Sequence, residues 1–129
     1  MRSKLQVPND FCKQILEFDK GIRFTGIADK FGKIVMTEYR KRSVPLLSKQ
    51  EAVLSVMRSA IRLGTRKTLQ PSLGKIVYSF TLYEKVKTAT IPLSNHSFLM
   101  VSFDSEADHE SIILKKILPL VKKHGLRRD

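Results

Sequence analysis

The chain has 129 residues, of which 42% are apolar and 28% are charged, and its formal net charge is +12. This length suits one domain, and the apolar content is too high for a disordered chain. One cysteine cannot form an internal disulfide, the N-terminus has no signal-peptide pattern, and no apolar run approaches the ~20 residues of a membrane span. We therefore expect a cytoplasmic protein.

The first elements predicted along the chain are a helix and a β-hairpin. The helix runs from Asn9 to about Phe18, and its apolar stripe consists of Phe11, Cys12, Ile15 and Leu16. The hairpin pairs GIRFTGIAD with KIVMTEYR across a turn from Asp29 to Gly32, since Asp suits the first turn position and Gly the position with positive φ. A glycine inside a strand, Gly26, predicts that a helix or another backbone segment approaches closely there.

A second helix follows the segment KRSVPLL. Ser48 and Glu51 have the spacing of a capping box, and Gly64 is predicted to end the helix in a left-handed conformation. The residues predicted to form its core face are Ala52, Val53, Val56, Met57, Ala60 and Ile61. A turn is predicted from Pro71 to Gly74.

Three strands and a last helix complete the chain. The strands are KIVYSFTLYE, KVKTATIPL and FLMVSFD, and the continuous apolar run of the third predicts a central strand covered on both faces. The last helix is predicted to start near Ser105, to be kinked or split by Pro119 and to end at Gly125. A basic C-terminal tail is predicted from about residue 122.

The element order α-β-β-α-β-β-β-α predicts an α+β domain with one antiparallel sheet. The hairpin GIADKFGKIVMTEY, and FLMVSFD with the helix after it, resemble the roadblock/dynein-light-chain fold, which is close to profilin-like and longin sensor domains. The chain also resembles small uncharacterised archaeal proteins that carry a GIADKFGKI-type hairpin and an EADHE segment.

The roadblock resemblance implies one domain over residues 1–129 and a five-stranded sheet of order 2-1-5-4-3. The second helix would cover one face of the sheet, and the two terminal helices would cover the other. It also implies a homodimer that scaffolds or regulates a small GTPase and performs no covalent chemistry. The implied dimer contacts are Lys75, Val77, Ser79, Thr81, Leu54 and Arg58. Because Leu54 and Leu63 lie outside the predicted core face of the second helix, they indicate a surface left for a second copy.

The net charge supports a second hypothesis, a basic protein associated with nucleic acid. The candidate polyanion-binding residues are Arg40, Lys41, Arg42, Arg58, Arg62, Arg66 and Lys67. Positions 58, 62 and 66 share one side of a helix and could form a ridge that contacts phosphates. A merely solvated basic surface is the alternative. A third hypothesis is a profilin-like sensor whose ligand pocket is lined by some of Phe24, Tyr78, Phe80 and Met100.

An enzyme is the least supported class. The segment RLGTRKT follows a helix and has a single glycine, so it is not a phosphate-binding loop. Asp104, Asp108 and His109 could approach a metal, but the two aspartates also suit the start of a helix. Cys12 lies on an apolar stripe, which predicts a core residue. We therefore predict no catalytic residue, no metal and no cofactor.

Overall fold

A computed structural model describes residues 6–41 and 44–127. Its helices are α1 (Phe11–Leu16), α2 (Lys49–Lys67), α3 (Gln70–Leu73), α4 (His109–Ile112) and α5 (Leu118–Lys123), with a π-helical turn at Ile113–Ile117. Its strands are β1 (Ile22–Ala28), β2 (Ile34–Tyr39), β3 (Ser79–Leu82), β4 (Val86–Pro92) and β5 (Phe98–Asp104). The strands form one antiparallel sheet of order β2-β1-β5-β4-β3, which confirms the predicted fold class and strand order.

Strand β5 is central, and both of its faces are buried as predicted. On one face, Leu99, Val101 and Phe103 pack with α1, α4, the π turn and α5 in the larger core cluster. On the other face, Phe98 and Met100 pack with the buried residues of α2 in a smaller cluster. Residues 6–41 and 44–127 therefore form three layers, and α2 is the helix on its side of the sheet.

The hairpin turn forms as predicted and contacts α2. The Asp29 carboxylate accepts hydrogen bonds from the backbone N–H groups of Phe31 and Lys33, and Gly32 has a φ of 82°. A Cβ atom added to Gly32 would lie 2.8 Å from the Cα of Met57. The close backbone approach predicted at Gly26 is also present, because an added Cβ would lie 3.3 Å from the Met36 carbonyl oxygen in β2, although the Phe24 ring is nearer at 2.7 Å.

The boundaries of α2 were predicted correctly at its start and wrongly at its end. Ser48 and Glu51 form the capping box, but the helix continues through Gly64 to Lys67. One glycine inside a helix costs only about 1 kcal/mol, and the residues after it keep their hydrogen bonds. The predicted turn from Pro71 is instead the short helix α3, which Gly74 ends with a φ of 87°.

Strand β3 is shorter than the predicted KIVYSFTLYE, and Pro92 explains why. Tyr83 donates its N–H to the Val86 carbonyl, and in an antiparallel pair every second residue is hydrogen-bonded in this way. Counting along the register, position 77 would be bonded to Pro92, which has no N–H to donate. The Arg127 guanidinium instead donates to the Val77 carbonyl at 2.9 Å and to the Ile76 carbonyl.

The last helical segment starts later than predicted and splits where predicted. Asp108 caps α4 by accepting from the Ser111 N–H at 3.2 Å, so the helix begins at His109 rather than near Ser105. The π turn precedes Pro119, whose missing N–H cannot continue an α-helical ladder. Gly125 ends α5 with a φ of 66°.

The stretch predicted as a basic tail is packed against the domain as far as residue 127. Leu126 is buried, and its carbonyl accepts from the Ser94 N–H at 2.7 Å. This contact joins Leu126 to the turn between β4 and β5, and the Arg127 bonds join the next residue to the segment that leads into β3.

His109 joins β3 to the start of α4. Its ring stacks on Phe80 with a centroid distance of 3.9 Å, and the Lys87 Nζ lies 3.4 Å from its Nδ1. Burial and the neighbouring Lys87 lower the pKa of His109, and Glu110 and Asp108 oppose that shift. The neutral ring is therefore the form that the folded chain favours.

We expect Arg127→Ala to loosen the start of β3. The substitution leaves two carbonyls without their charged donor, and partial exposure limits the cost to about 1 kcal/mol. Urea unfolding should show this loss, and hydrogen exchange should become faster over residues 75–80. Lys123→Ala, which removes an exposed charge nearby, is the control and should change neither quantity. Unchanged exchange in the Arg127 variant would contradict the role of the guanidinium.

Stability should fall as the pH drops below the ordinary His109 value of about 6.5. Because the pKa of His109 is lower in the folded chain than in the unfolded chain, the unfolded chain binds the extra proton first. The stabilisation is complete above pH ~6.5 and is lost as the pH falls through the folded pKa. Melting temperatures between pH 7.5 and 5 should therefore decline less in His109→Gln than in His96→Gln. Equal declines in the two variants would rule out this linkage.

Candidate interaction surfaces on helix α2 and strand β3

Helix α2 has three sectors around its circumference, as 100° per residue places them. The sector that meets the sheet consists of Val56, Ser59, Ala60 and Leu63, all of which are buried. Two exposed sectors flank this buried sector, one on each side. One is apolar and the other is basic, so a single helix offers two chemically different surfaces.

The first exposed sector, which we call the apolar face, consists of Val53 (58% exposed), Leu54 (45%), Met57 (44%) and Ile61 (68%). Gly64 lies in the same sector, about 80° or less from each of these side chains. A Cβ atom added to Gly64 would meet nothing within 4 Å. The apolar face therefore ends in bare backbone, where another helix can approach closely.

The predicted core face of α2 was partly wrong. Val56 and Ala60 meet the sheet, but Val53, Met57 and Ile61 belong to the exposed apolar face. Leu63, predicted to lie outside the core face, is 3% exposed and packs against the sheet. Apolar side chains occupy more than half of the circumference of this helix. Periodicity alone therefore could not show which of them the sheet would cover.

Strand β3 lies at an edge of the sheet, as predicted, and its outer side carries hydrogen-bonding groups that no strand pairs. The bond from Tyr83 to Val86 sets the alternation, so Thr81 is bonded to β4. The N–H groups of Phe80 and Leu82 then point away from β4. Both side chains are also exposed. This edge can accept a further strand.

The predicted dimer contacts lie on these two surfaces or at their borders. Ser79 and Thr81 are in β3, whereas Lys75 and Val77 precede it. Leu54 is on the apolar face, and Arg58 lies at its border with the basic sector.

The second exposed sector, which we call the arginine ridge, consists of Arg58, Arg62 and Arg66, all exposed. Arg62 Nη2 donates to the buried Ser59 Oγ at 3.1 Å, which holds one guanidinium against the helix. Lys67 lies beyond the ridge and is half-buried beside Leu93, and burial lowers its pKa.

The other basic candidates do not extend this ridge. Arg40 is used inside the fold, because its guanidinium donates to the carbonyls of Leu16, Asp19 and Ile22. Lys41 is exposed after β2. Arg42 lies outside the described residues.

The pocket expected from Phe24, Tyr78, Phe80 and Met100 is not formed, because these side chains lie on opposite faces of the sheet. Phe24 and Met100 belong to the cluster under α2. Tyr78 packs against the cluster under the terminal helices, and Phe80 stacks on His109 on that same side. The register Met100↔Thr90↔Ser79 places residue 79 on the α2 side, so its neighbours 78 and 80 must face the other way.

The residues considered for chemistry have structural roles. Cys12 is buried, and burial raises the pKa of its thiol. Asp108 caps α4 as predicted, whereas Asp104 lies in β5 and pairs with Arg23 at 3.1 Å. Within residues 6–41 and 44–127, no three His, Cys, Asp or Glu side chains form a group that could hold a metal. None of the helices in these ranges has the length and apolarity needed to cross a membrane.

The residues that sequence reasoning missed are Val53, Met57 and Ile61 of the apolar face and the outward amides of Phe80 and Leu82 in β3. Two features of the sequence could have indicated these residues, namely the wide apolar surface of α2 and the position of Pro92 in β4.

No protein-family model matches the chain, and no curated protein sequence matches it. Solved structures do match. A Roadblock/LC7 domain from Streptomyces avermitilis superposes with a TM-score of 0.70 at 10% identity, over 92% of this chain and 94% of that one. MglB of Myxococcus xanthus gives a TM-score of 0.64 at 15% identity, over 91% and 87%.

The gliding protein MglB of Thermus thermophilus gives a TM-score of 0.63 at 14% identity, over 97% of this chain and 93% of that one. Another MglB structure with similar agreement, a TM-score of 0.63, is described as having a tetrameric arrangement. These likenesses extend over nearly the whole chain and agree with the strand order found above. The chain has the Roadblock/LC7 fold.

Proposed function

We propose that this protein is a cytoplasmic, non-enzymatic interaction module of roadblock type that acts as a homodimer. The observation that carries the proposal is the apolar face of α2, where Val53, Leu54, Met57 and Ile61 stay exposed after the helix has covered the sheet. Large apolar side chains grouped on one side of a helix are typical of a surface that binds another protein.

The apolar face requires a second contribution to hold two copies together. Fully burying a large apolar side chain contributes about 1.5–3 kcal/mol, and these four are already partly buried. Association costs about 4–15 kcal/mol in lost freedom. The outer edge of β3 supplies the second contribution, because pairing with the same strand of another copy would satisfy its free N–H and C=O groups.

A two-fold axis fits both surfaces. In a two-fold dimer the same patch meets itself, so an antiparallel β3 pair and a pair of α2 helices can form together. The partner that the roadblock resemblance implies for such a dimer is a small GTPase, which the domain would scaffold or regulate. The fold likeness and the exposed α2 surface support this function, and the whole chain would act as one domain.

We expect Ile61→Glu combined with Met57→Glu to convert the dimer to a monomer. Each substitution places a charge in an apolar contact, where burying it without a partner is unfavourable. Light scattering at micromolar concentration should show the wild type at twice the mass of the variant. Leu114→Glu, at a residue 44% exposed on the π turn, is the matched control and should remain dimeric. A monomeric wild type would refute the dimer.

Leu82→Pro should weaken the dimer at least tenfold without disrupting the sheet. Proline removes the N–H that points away from β4, and it is tolerated on an edge strand. Leu82→Ala keeps that N–H and is the control for loss of the side chain. Analytical ultracentrifugation would give both dissociation constants. If Leu82→Pro dimerises as well as Leu82→Ala, then β3 does not pair between copies and α2 acts alone.

A further inference from the structure

The stretch from α2 to β3 carries positive charge that no acidic residue in it opposes. Between Glu51 and Glu84 the sequence contains no Asp or Glu. The basic residues of this stretch are Arg58, Arg62, Arg66, Lys67 and Lys75. The molecule's charge of +12 is therefore concentrated in part on this side of the sheet.

The arginine ridge is a regularly spaced part of this surface. Successive members are four residues apart, which corresponds to about 6 Å of rise and about 40° of rotation. The ridge is therefore about 12 Å long. Between the residues that the structure describes, the one ion pair joins Arg23 to Asp104, so the three ridge guanidinium groups have no carboxylate partner there.

The middle of the ridge is oriented before any ligand binds. Arg62 donates one N–H to Ser59 Oγ, and a guanidinium has five N–H donors, so most remain for a partner. The hydroxyl-bearing side chain of Ser55 is exposed on the same side of α2. Hydroxyl groups also bind phosphate oxygens.

From this geometry we propose that the arginine ridge binds the phosphate backbone of double-stranded nucleic acid without reading its sequence. The planar fork of arginine matches the oxygens of a phosphate with two parallel hydrogen bonds. A row of like charges at regular spacing suits a polymer that carries a phosphate at every nucleotide.

The composition of α2 argues against the other polyanionic partners. An acidic protein would need an apolar centre on the contact, because interface cores are depleted of charge, and the ridge has none. A single strand would need aromatic rings for stacking, and α2 contains no Phe, Tyr or Trp. An anionic lipid surface would need inserted apolar side chains. On α2 these are on the apolar face, about 130° around the helix from the ridge centre.

The test is the salt dependence of binding to a short duplex DNA of mixed sequence, measured by fluorescence anisotropy. The wild type should bind at about 50 mM salt and weaken steeply towards about 200 mM. The variant Arg58→Gln, Arg62→Gln, Arg66→Gln should lose more than tenfold in affinity at the lower salt. Its slope of log K against log salt should fall by about 2.7, since each lost phosphate contact contributes about 0.9.

A control with the same loss of charge separates the ridge from net charge. Lys13→Gln, Lys115→Gln and Lys123→Gln remove three exposed lysines from α1, the π turn and α5, in the layer across the sheet. This control should change the slope by less than about one unit. Equal losses in the two triple variants would overturn the proposal, as would no binding at low salt or tighter binding to single strands or anionic vesicles.

The measurement is also separable from dimer formation. Exposed arginines usually contribute within about 0.5 kcal/mol to stability, so the ridge variant should stay folded and dimeric. If it does not fold, Arg62→Gln with Arg66→Gln should lower the slope by about 1.8 instead. The monomeric Ile61→Glu, Met57→Glu variant retains the ridge and should still bind DNA. DNA binding by that monomeric variant would show that dimer formation can fail while DNA binding persists. A dimeric ridge variant that no longer binds DNA would show the reverse.

Discussion

The arrangement of the whole chain depends on the need to bury β5 on both faces. Its segment FLMV has no polar residue to turn towards water, so each face requires its own cover. The terminal helices have enough apolar surface to cover one face fully. On the other face α2 is the one helix that the described residues provide, and a helix can cover a sheet with just one of its sides. The exposure of the rest of α2 follows directly from that limit.

Local rules predicted most of the fold because the relevant signals lie close together in the sequence. The turn at Asp29–Gly32, the capping box at Ser48 and the end of α5 at Gly125 each depend on a few adjacent residues. Strand order came from the roadblock resemblance, since pairing between distant strands has no local signal. The superposed Roadblock/LC7 structures have the same fold at 10–15% identity, so the pattern of elements persists while residue identity is largely lost.

The errors arose where distant residues decide the outcome. Strand β3 begins late because Pro92 in the neighbouring strand has no N–H, and Arg127 donates to the carbonyls of Ile76 and Val77 instead. The rotation of α2 about its own axis also depends on residues that are distant in the sequence. Its apolar residues cover too wide an arc for periodicity to choose a side, and Gly32 admits the helix close to the hairpin at Met57. Helix or strand propensity and residue spacing within one element reveal neither the missing N–H in the neighbouring strand nor the close contact between the hairpin and α2.

The functions proposed for the two exposed sectors of α2 predict opposite responses to salt. Two copies that each carry a charge of +12 repel one another, so apolar contact between α2 helices has to overcome that repulsion, and added salt screens it. The same salt would weaken the proposed phosphate binding by the ridge, because counterions released into a more concentrated solution gain less entropy. Since the two sectors lie on opposite sides of the buried one, a dimer formed through the apolar face would leave both ridges exposed. Assembly and polyanion binding then occupy one helix without competing for the same side chains, except at Arg58 on the border between them.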